Sequence, residues 1–382
     1  MNIDTIVNTW KCNEVTGRYV TTEMISPVFN ELGDQFSVRL EGSSVLGKEI
    51  KSVCWGQGQV KILMWSQMHG NESTTTKAVM DLLKFLSSEE EEVKQWFSYF
   101  TIKIVPILNP DGASAYTRIN ANQVDLNRDS IDLTQPESKV LRSLLEEFRP
   151  NYAFNLHDQR TIFGVGDTPE PATISFLSPA FNEQRDLSAS REEAMRLIVA
   201  MYNELCVDIH GKIGRFDDSF NKNCIGDYCQ TLDIPTILFE AGHYPEDYER
   251  EVTRKVVFKG LLTVISQLKS GAYRGLSVKD YFAILENKKN FVDIIFTNVE
   301  NAQTGEIYVL EVQYLEVLRD NKVEFEPMVV GVADRINKFA HLSIKNSYFL
   351  KDCISSKEAL LNRKLSEVMS FEEYEIKKLL KK

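Results

Sequence analysis

Val60-Lys61-Ile62-Leu63-Met64-Trp65 runs directly into Ser66-Gln67-Met68-His69-Gly70-Asn71-Glu72. A short, mostly apolar run bounded by polar turn residues reads as a buried strand. Beyond Glu72 the apolar residues fall at Ala78, Val79, Leu82, Leu83 and Leu86, the spacing of a helix. His69 and Glu72 therefore sit three residues apart in a tight strand-to-helix connection. An imidazole and a carboxylate at that spacing can face one ion. Zinc takes such donors at roughly 2.0–2.2 Å, and a catalytic site leaves a fourth position to water. A plain polar loop at a strand end has the same look, so the pair alone decides nothing.

Working outward, the same alternation recurs. A short helix is predicted near residues 21–32, then strands over 36–40 and 50–55, upstream of the quoted run. Downstream, Ser88 and the acidic run 89–92 read as a helix start, where carboxylates suit the positive end of the dipole. Residues 99–108 read as a core strand that ends in the turn signature Asn109-Pro110-Asp111-Gly112. A polar stretch without period follows, residues 113–135, and loops this long inside a compact domain are usually functional or disordered. Pro136 opens a helix to Phe148, residues 151–156 form a strand with His157 at its end, and residues 189–210 form a long helix. A Gly-, Asp- and Asn-rich segment, 214–227, leads to the strand 235–239. Glu240 ends that strand, and a last long helix spans 246–268. Strands alternating with helices argue a mixed, mainly parallel sheet flanked by helices. Ligands bind beyond the carboxyl ends of strands in such sheets, and His69, Asn109, His157 and Glu240 all fall there.

The texture changes after residue 272. Residues 291–297, 307–318, 323–330 and 340–344 read as consecutive strands, a small antiparallel β-rich module, with a helical tail over 355–382. The expected division is thus 1–272 and 273–382, with every catalytic group in the first part.

Composition bounds the partners. The chain has 382 residues, 44 Lys+Arg against 55 Asp+Glu, and a formal charge of −11. That balance offers no cationic surplus to displace counterions from a nucleic acid. No apolar run approaches the roughly 20 residues of a membrane span. The six cysteines show no zinc-finger spacing and read as buried free thiols. With no basic and apolar leader at the start, the expected address is cytoplasmic.

Five stretches in order, MHGNE (68–72), NPDG (109–112), TRINANQVDLNRD (117–129), NLHD (155–158) and FEAG (239–242), resemble the zinc carboxypeptidases of the carboxypeptidase A type. The resemblance spans roughly residues 45–270 and implies a mixed, mainly eight-stranded sheet. It implies one zinc ion per chain, held by His69, Glu72 and His157. It further implies Glu240 as general base, Arg118 as the group that polarises the scissile carbonyl, and Asn127 with Arg128 as the grip on a free terminal carboxylate. The expected partner is a peptide with a free C-terminus. The residue types suit those tasks, since a guanidinium holds a carboxylate through two parallel hydrogen bonds. Taken singly, each has a plainer reading: His157 as a core histidine, Glu240 as a helix-start carboxylate, Arg128 as the ion-pair partner of Asp125 or Asp129. His210, His243 and His341 are expected outside the chemistry.

Departures accompany the resemblance. Asn71 stands where the pancreatic-type enzymes carry an arginine, and the interval from Arg128 to His157 is short beside theirs. No tyrosine can be placed as their mobile active-site residue, and residues 214–220 occupy its neighbourhood. The aspartoacylase and succinylglutamate desuccinylase enzymes share several of these motifs, so hydrolysis of N-acyl amino acids is the alternative. A zinc- or peptide-binding protein without catalysis is disfavoured, because both Glu240 and Arg118 are present.

Overall fold

In the computed structural model, which describes residues 2–301, 303–350 and 357–369 (side chains of 346–349 aside), the quoted run is the third of eight paired strands. These are β1 (Phe36–Ser43), β2 (Glu49–Trp55), β3 (Val60–Ser66), β4 (Phe100–Val105) and β5 (Tyr152–Asp158). After the two-residue β6 (Gly164–Val165), which lies outside the sheet, come β7 (Ile174–Leu177), β8 (Ile213–Arg215) and β9 (Thr236–Ala241). The order across the sheet is β1-β2-β4-β3-β5-β9-β7-β8. β4, β3, β5 and β9 run parallel at the centre, with antiparallel pairings at β1–β2, β2–β4 and β9–β7. The expected mixed, mainly parallel sheet is what forms.

Alternation along β3 sets the two faces. Ile62 and Met64 join one apolar cluster with the helices Thr74–Leu86, Ala189–Leu205 and Glu251–Ser270. Leu63 and Trp65 point the other way, onto the helices Pro136–Phe148 and Ile225–Thr231. All four side chains are fully buried, each contributing roughly 1.5–3 kcal/mol by area. Covered on both faces, β3 can be apolar nearly throughout.

Several elements differ from the sequence reading. Asn109-Pro110-Asp111-Gly112 opens a helix, Pro110–Ala115, instead of a turn: Asn109 accepts from the Gly112 amide at 2.9 Å and Pro110 takes the first helical position. An Asn-Pro pair suits a helix cap as well as a turn. β7 and β8 go unpredicted because four and three residues are too few to show a period, and the helix Ile225–Thr231 because seven residues make barely two turns. The helix predicted to residue 210 ends at Leu205, which leaves His210 beyond it.

Past residue 272, Tyr273, Tyr281 and Ile284 are buried in the first core. β10 (Asn287–Lys288) then pairs with β6. A four-stranded sheet follows from β11 (Phe291–Glu300), β12 (Ile307–Arg319), β13 (Lys322–Ala333) and β14 (Phe339–Phe349). β11, β12 and β13 are antiparallel as expected, and β14 adds to β11 in parallel. The β12–β13 turn places Asp320 and Asn321 at φ +47° and +61°, the left-handed pair that tight hairpins favour. Of the predicted helical tail, residues 355–356 and 370–382 lie outside the described residues. Leu365–Val368 forms one short turn of helix. Among the described residues no helix is long and apolar enough to cross a membrane.

Candidate active site

His69 and Glu72 leave β3 through a turn that three contacts fix. Gln67 adopts φ +43° and donates to the carbonyls of Val20 and Gly70 at 3.0 and 2.8 Å. Asn109 donates to the Met68 carbonyl at 3.3 Å. Gly70 lies so close to the Pro110–Ala115 helix that a Cβ there would come within 1.9 Å of the Gly112 carbonyl carbon. The motifs 68–72 and 109–112 are therefore one packed unit.

His157, near the end of β5, completes the cluster. Its Nδ1 lies 2.9 Å from Glu72 Oε2 and 3.0 Å from His69 Nδ1, while His69 Nδ1 lies 2.9 Å from Glu72 Oε1. Tetrahedral zinc bonds would set neighbouring donors roughly 3.3 Å apart, so three buried donors converging on one point fit that ion. They are the one such group of three or more potential ligands among the described residues. The second ring nitrogen of His69 lies 2.9 Å from Asp125 Oδ1, an orientation device typical of ligating histidines. His157 Nε2 is buried without a partner.

Electrostatics follow the geometry. Burial opposes it, yet the two imidazoles hold the Glu72 carboxyl well below the usual range. Burial is likewise outweighed at His69, which Glu72 and Asp125 raise to about 9. Burial outweighs the pull of Glu72 at His157 and lowers that imidazole below its ordinary value. β5 and β9 pair in a register that sets Glu240 directly beside His157. Burial raises the Glu240 carboxyl well above the ordinary value, and the negative charge of Glu72 adds to it.

Arg118 donates to Glu72 Oε1 at 3.0 Å and to Asp125 Oδ2 at 3.1 and 3.3 Å. Asp125 is thus spent on His69, Arg118 and the Asn127 amide, and Asp129 on Thr134 and Gln135. Neither pairs with Arg128, contrary to the plainer reading of that residue. Arg128 donates to the Asn127 carbonyl at 2.7 Å and to Cys224 Sγ at 3.0 Å, and burial pushes the Cys224 thiol up to about 11. The Asn127 side chain accepts from the Ile225 amide at 3.1 Å, which ties the loop to the helix Ile225–Thr231.

All seven expected residues line one cavity of about 660 Å³. Sequence reasoning missed Asp227 there, because it sits in a segment without period. Burial pushes its carboxyl up to about 7. Phe216 and Phe220 from the segment 214–220 line the wall, and no tyrosine is among the lining residues described. Lys289, from beyond residue 272, also lines it. His243 and His341 lie elsewhere, ring against ring at 4.2 Å.

Comparison with known proteins points to zinc carboxypeptidases. Residues 28–206 match the zinc carboxypeptidase family, a span that holds every expected site residue except Glu240. "Probable carboxypeptidase 2" of Trichophyton verrucosum is 29% identical over 132 residues, 34% of this chain and 25% of that protein. "Carboxypeptidase SOL1" of Arabidopsis thaliana is 27% identical over 151 residues, 33% of this chain and 31% of that one. The chain thus spans about a quarter to a third of the length of these relatives. Among solved structures, a metallo-carboxypeptidase from Burkholderia cenocepacia superposes with a TM-score of 0.53 at 17% identity, over 66% of this chain and 70% of that one. The carboxypeptidase A of Helicoverpa armigera gives 0.53 at 16% identity, over 71% and 80%. The carboxypeptidase-like fold and the family resemblance read from the motifs both hold.

Proposed function

We propose that this chain, whose residues 28–206 match the zinc carboxypeptidase family, hydrolyses the C-terminal peptide bond of peptides. The observation that carries this reading is the convergence of His69, Glu72 and His157 with Glu240, Arg118, Asn127 and Arg128 on one cavity. In this reading the first three hold one zinc ion, which when bound supplies a Lewis acid that polarises a carbonyl and lowers the pKa of water. Glu240 takes the proton of the attacking water and returns it to the leaving amine. A carboxyl raised by burial suits that role, since a general base works best with a pKa near the operating pH. Arg118, already within 3.0 Å of Glu72, donates to the carbonyl oxygen as negative charge develops on it. Arg128 and Asn127 grip the free carboxylate and so register the last peptide bond over the cluster. The five described cysteines are free thiols, which suits a reducing compartment such as the cytoplasm.

The test is turnover by purified, zinc-quantified protein on three substrate sets: free-ended peptides, the same peptides amidated at the C-terminus, and N-acyl amino acids. Free-ended peptides are expected to be cleaved and amidated ones spared, with Arg128→Ala erasing that preference. Cleavage of N-acyl amino acids alone would transfer the site to the acylase alternative.

A further inference from the structure

Among the described residues beyond 272 none belongs to the His69–Glu72–His157 group, yet one of their carboxylates bonds to Tyr116, two residues before Arg118. Glu316 lies on β12, opposite Phe325 of β13. Its Oε1 and Oε2 accept from the Arg18 guanidinium at 3.0 and 3.1 Å, and Oε2 also accepts from the Tyr116 hydroxyl. Arg18 is 5% exposed and Tyr116 8%, so both contacts are largely shielded from water.

Tyr116 occupies a sensitive place. It caps the Pro110–Ala115 helix at φ +54°, ψ +47°, a left-handed conformation that L side chains adopt at a cost. The chain leaves that helix through Tyr116 and reaches Arg118 two residues later. Thr117 in between is tied back by its amide to the Gly112 carbonyl at 2.8 Å. The side chain of Arg118 is 48% exposed and, among the described residues, is held by the carboxylates of Glu72 and Asp125. Its backbone position thus depends on the turn that Tyr116 makes, and that turn is pinned at its outer end by the Glu316 carboxylate. A second contact runs the same way: the Arg18 carbonyl accepts from Ser73, the neighbour of Glu72, at 2.6 Å.

We infer that Glu316, acting through the Tyr116 hydroxyl, is a positioning residue for Arg118, so that the C-terminal sheet tunes the group that meets the substrate carbonyl. This rests on the peptidase reading above. The bond is well placed to matter, because a misplacement of about 1 Å in an oriented group can cost on the order of 10²-fold in rate. Neither residue belongs to the motifs that carry the family resemblance.

The test uses the full chain with Tyr116→Phe and, separately, Glu316→Gln. Tyr116→Phe keeps the Arg18–Glu316 pair and removes a single hydroxyl, so it survives any folding loss that Glu316→Gln causes. Tyr116→Phe is expected to lower kcat by roughly tenfold while KM and zinc content stay within about twofold. In an Arg118→Ala background the same change should lower kcat no further, whereas a merely structural loss would repeat in full. Hydrogen exchange at the Thr117 amide should also quicken in Tyr116→Phe. An equal kcat loss in both backgrounds, or unchanged exchange, overturns the inference. If the parent protein cleaves no peptide, the peptidase reading falls, and the exchange measurement still decides whether Glu316 fixes this turn.

Discussion

Glu240 and Asp227 are two acids in one cleft, and burial raises both, with different consequences. Glu240 lies beside His157 across the β5–β9 register, close enough for Glu72 to add to its shift. If it is the base and not a ligand, Glu240→Gln keeps the zinc while kcat falls by roughly 10²–10⁴-fold. Metal analysis alongside kinetics checks this, and zinc loss would make Glu240 a ligand. Asp227 is raised from 3.8 to about 7, so the folded protein holds a proton there that the unfolded chain releases. Its contribution to stability is fully present below about pH 4 and is lost as pH rises through about 7. Asp227→Asn should therefore gain stability relative to the parent across that window and hold a constant advantage above it. The ceiling is about 4 kcal/mol, from three units at 1.36 kcal/mol each. Denaturation curves at pH 4, 6 and 8 measure it, and a difference that does not change with pH would show that Asp227 is not the group.

At the scale of elements, two motifs that look separate in the chain are one packed joint. Asn109, which caps the helix Pro110–Ala115, donates from its backbone and side chain to the Gln67 and Met68 carbonyls of the turn, with Gly70 against Gly112 at the closest approach. Only glycine fits at position 70. Gly70→Ala would drive a methyl group into the Gly112 backbone and force the turn outward, at a cost of at least about 1–3 kcal/mol. Because His69 and Glu72 flank that position, zinc affinity should fall together with Tm. Zinc titration and thermal melts of this variant are the check, and unchanged zinc affinity would show that the ligands do not depend on the joint. On the opposite side, Asp158 accepts from the Thr74 and Thr75 amides at 3.0 and 3.4 Å and so anchors the helix that follows Glu72 to the end of β5.

Across the whole molecule, the C-terminal sheet is joined to the cleft by partly buried polar contacts as well as apolar ones. Asp293 on β11 accepts from Tyr248 at 2.9 Å and from Thr161 at 3.3 Å, and His341 donates to the Thr161 carbonyl at 2.8 Å. Thr161 neighbours Arg160 and Ile162, both of which line the cavity. A chain ended at residue 272 would lose Tyr273, Tyr281 and Ile284 from the first core and leave the Arg18 charge without Glu316. Leaving one partner of a largely buried pair unpaired costs about 3–5 kcal/mol. The truncated chain is expected to lack a cooperative thermal transition, which circular dichroism would show. A sharp transition near that of the full chain would establish residues 1–272 as self-sufficient.

What the sequence determined by itself is the local part of this account. The strand-to-helix turn bearing His69 and Glu72 and the strand ends bearing His157 and Glu240 are legible because strand and helix periods are short-range properties. The four strands beyond residue 290 are legible for the same reason. Tertiary structure decided what depends on packing between distant segments. Asp125 turns to His69 and Arg118 because the loop 116–129 folds over the β3 turn, and no spacing within DLNR encodes that choice. Asn-Pro-Asp-Gly becomes a helix start because Asn109 is held in place by the end of β3. The three- and four-residue strands β8 and β7 exist because neighbouring strands pair with them, since neither has length enough to show a pattern. The reach of Glu316 to Tyr116 spans 200 residues, and contacts at that separation are set by how the two sheets dock.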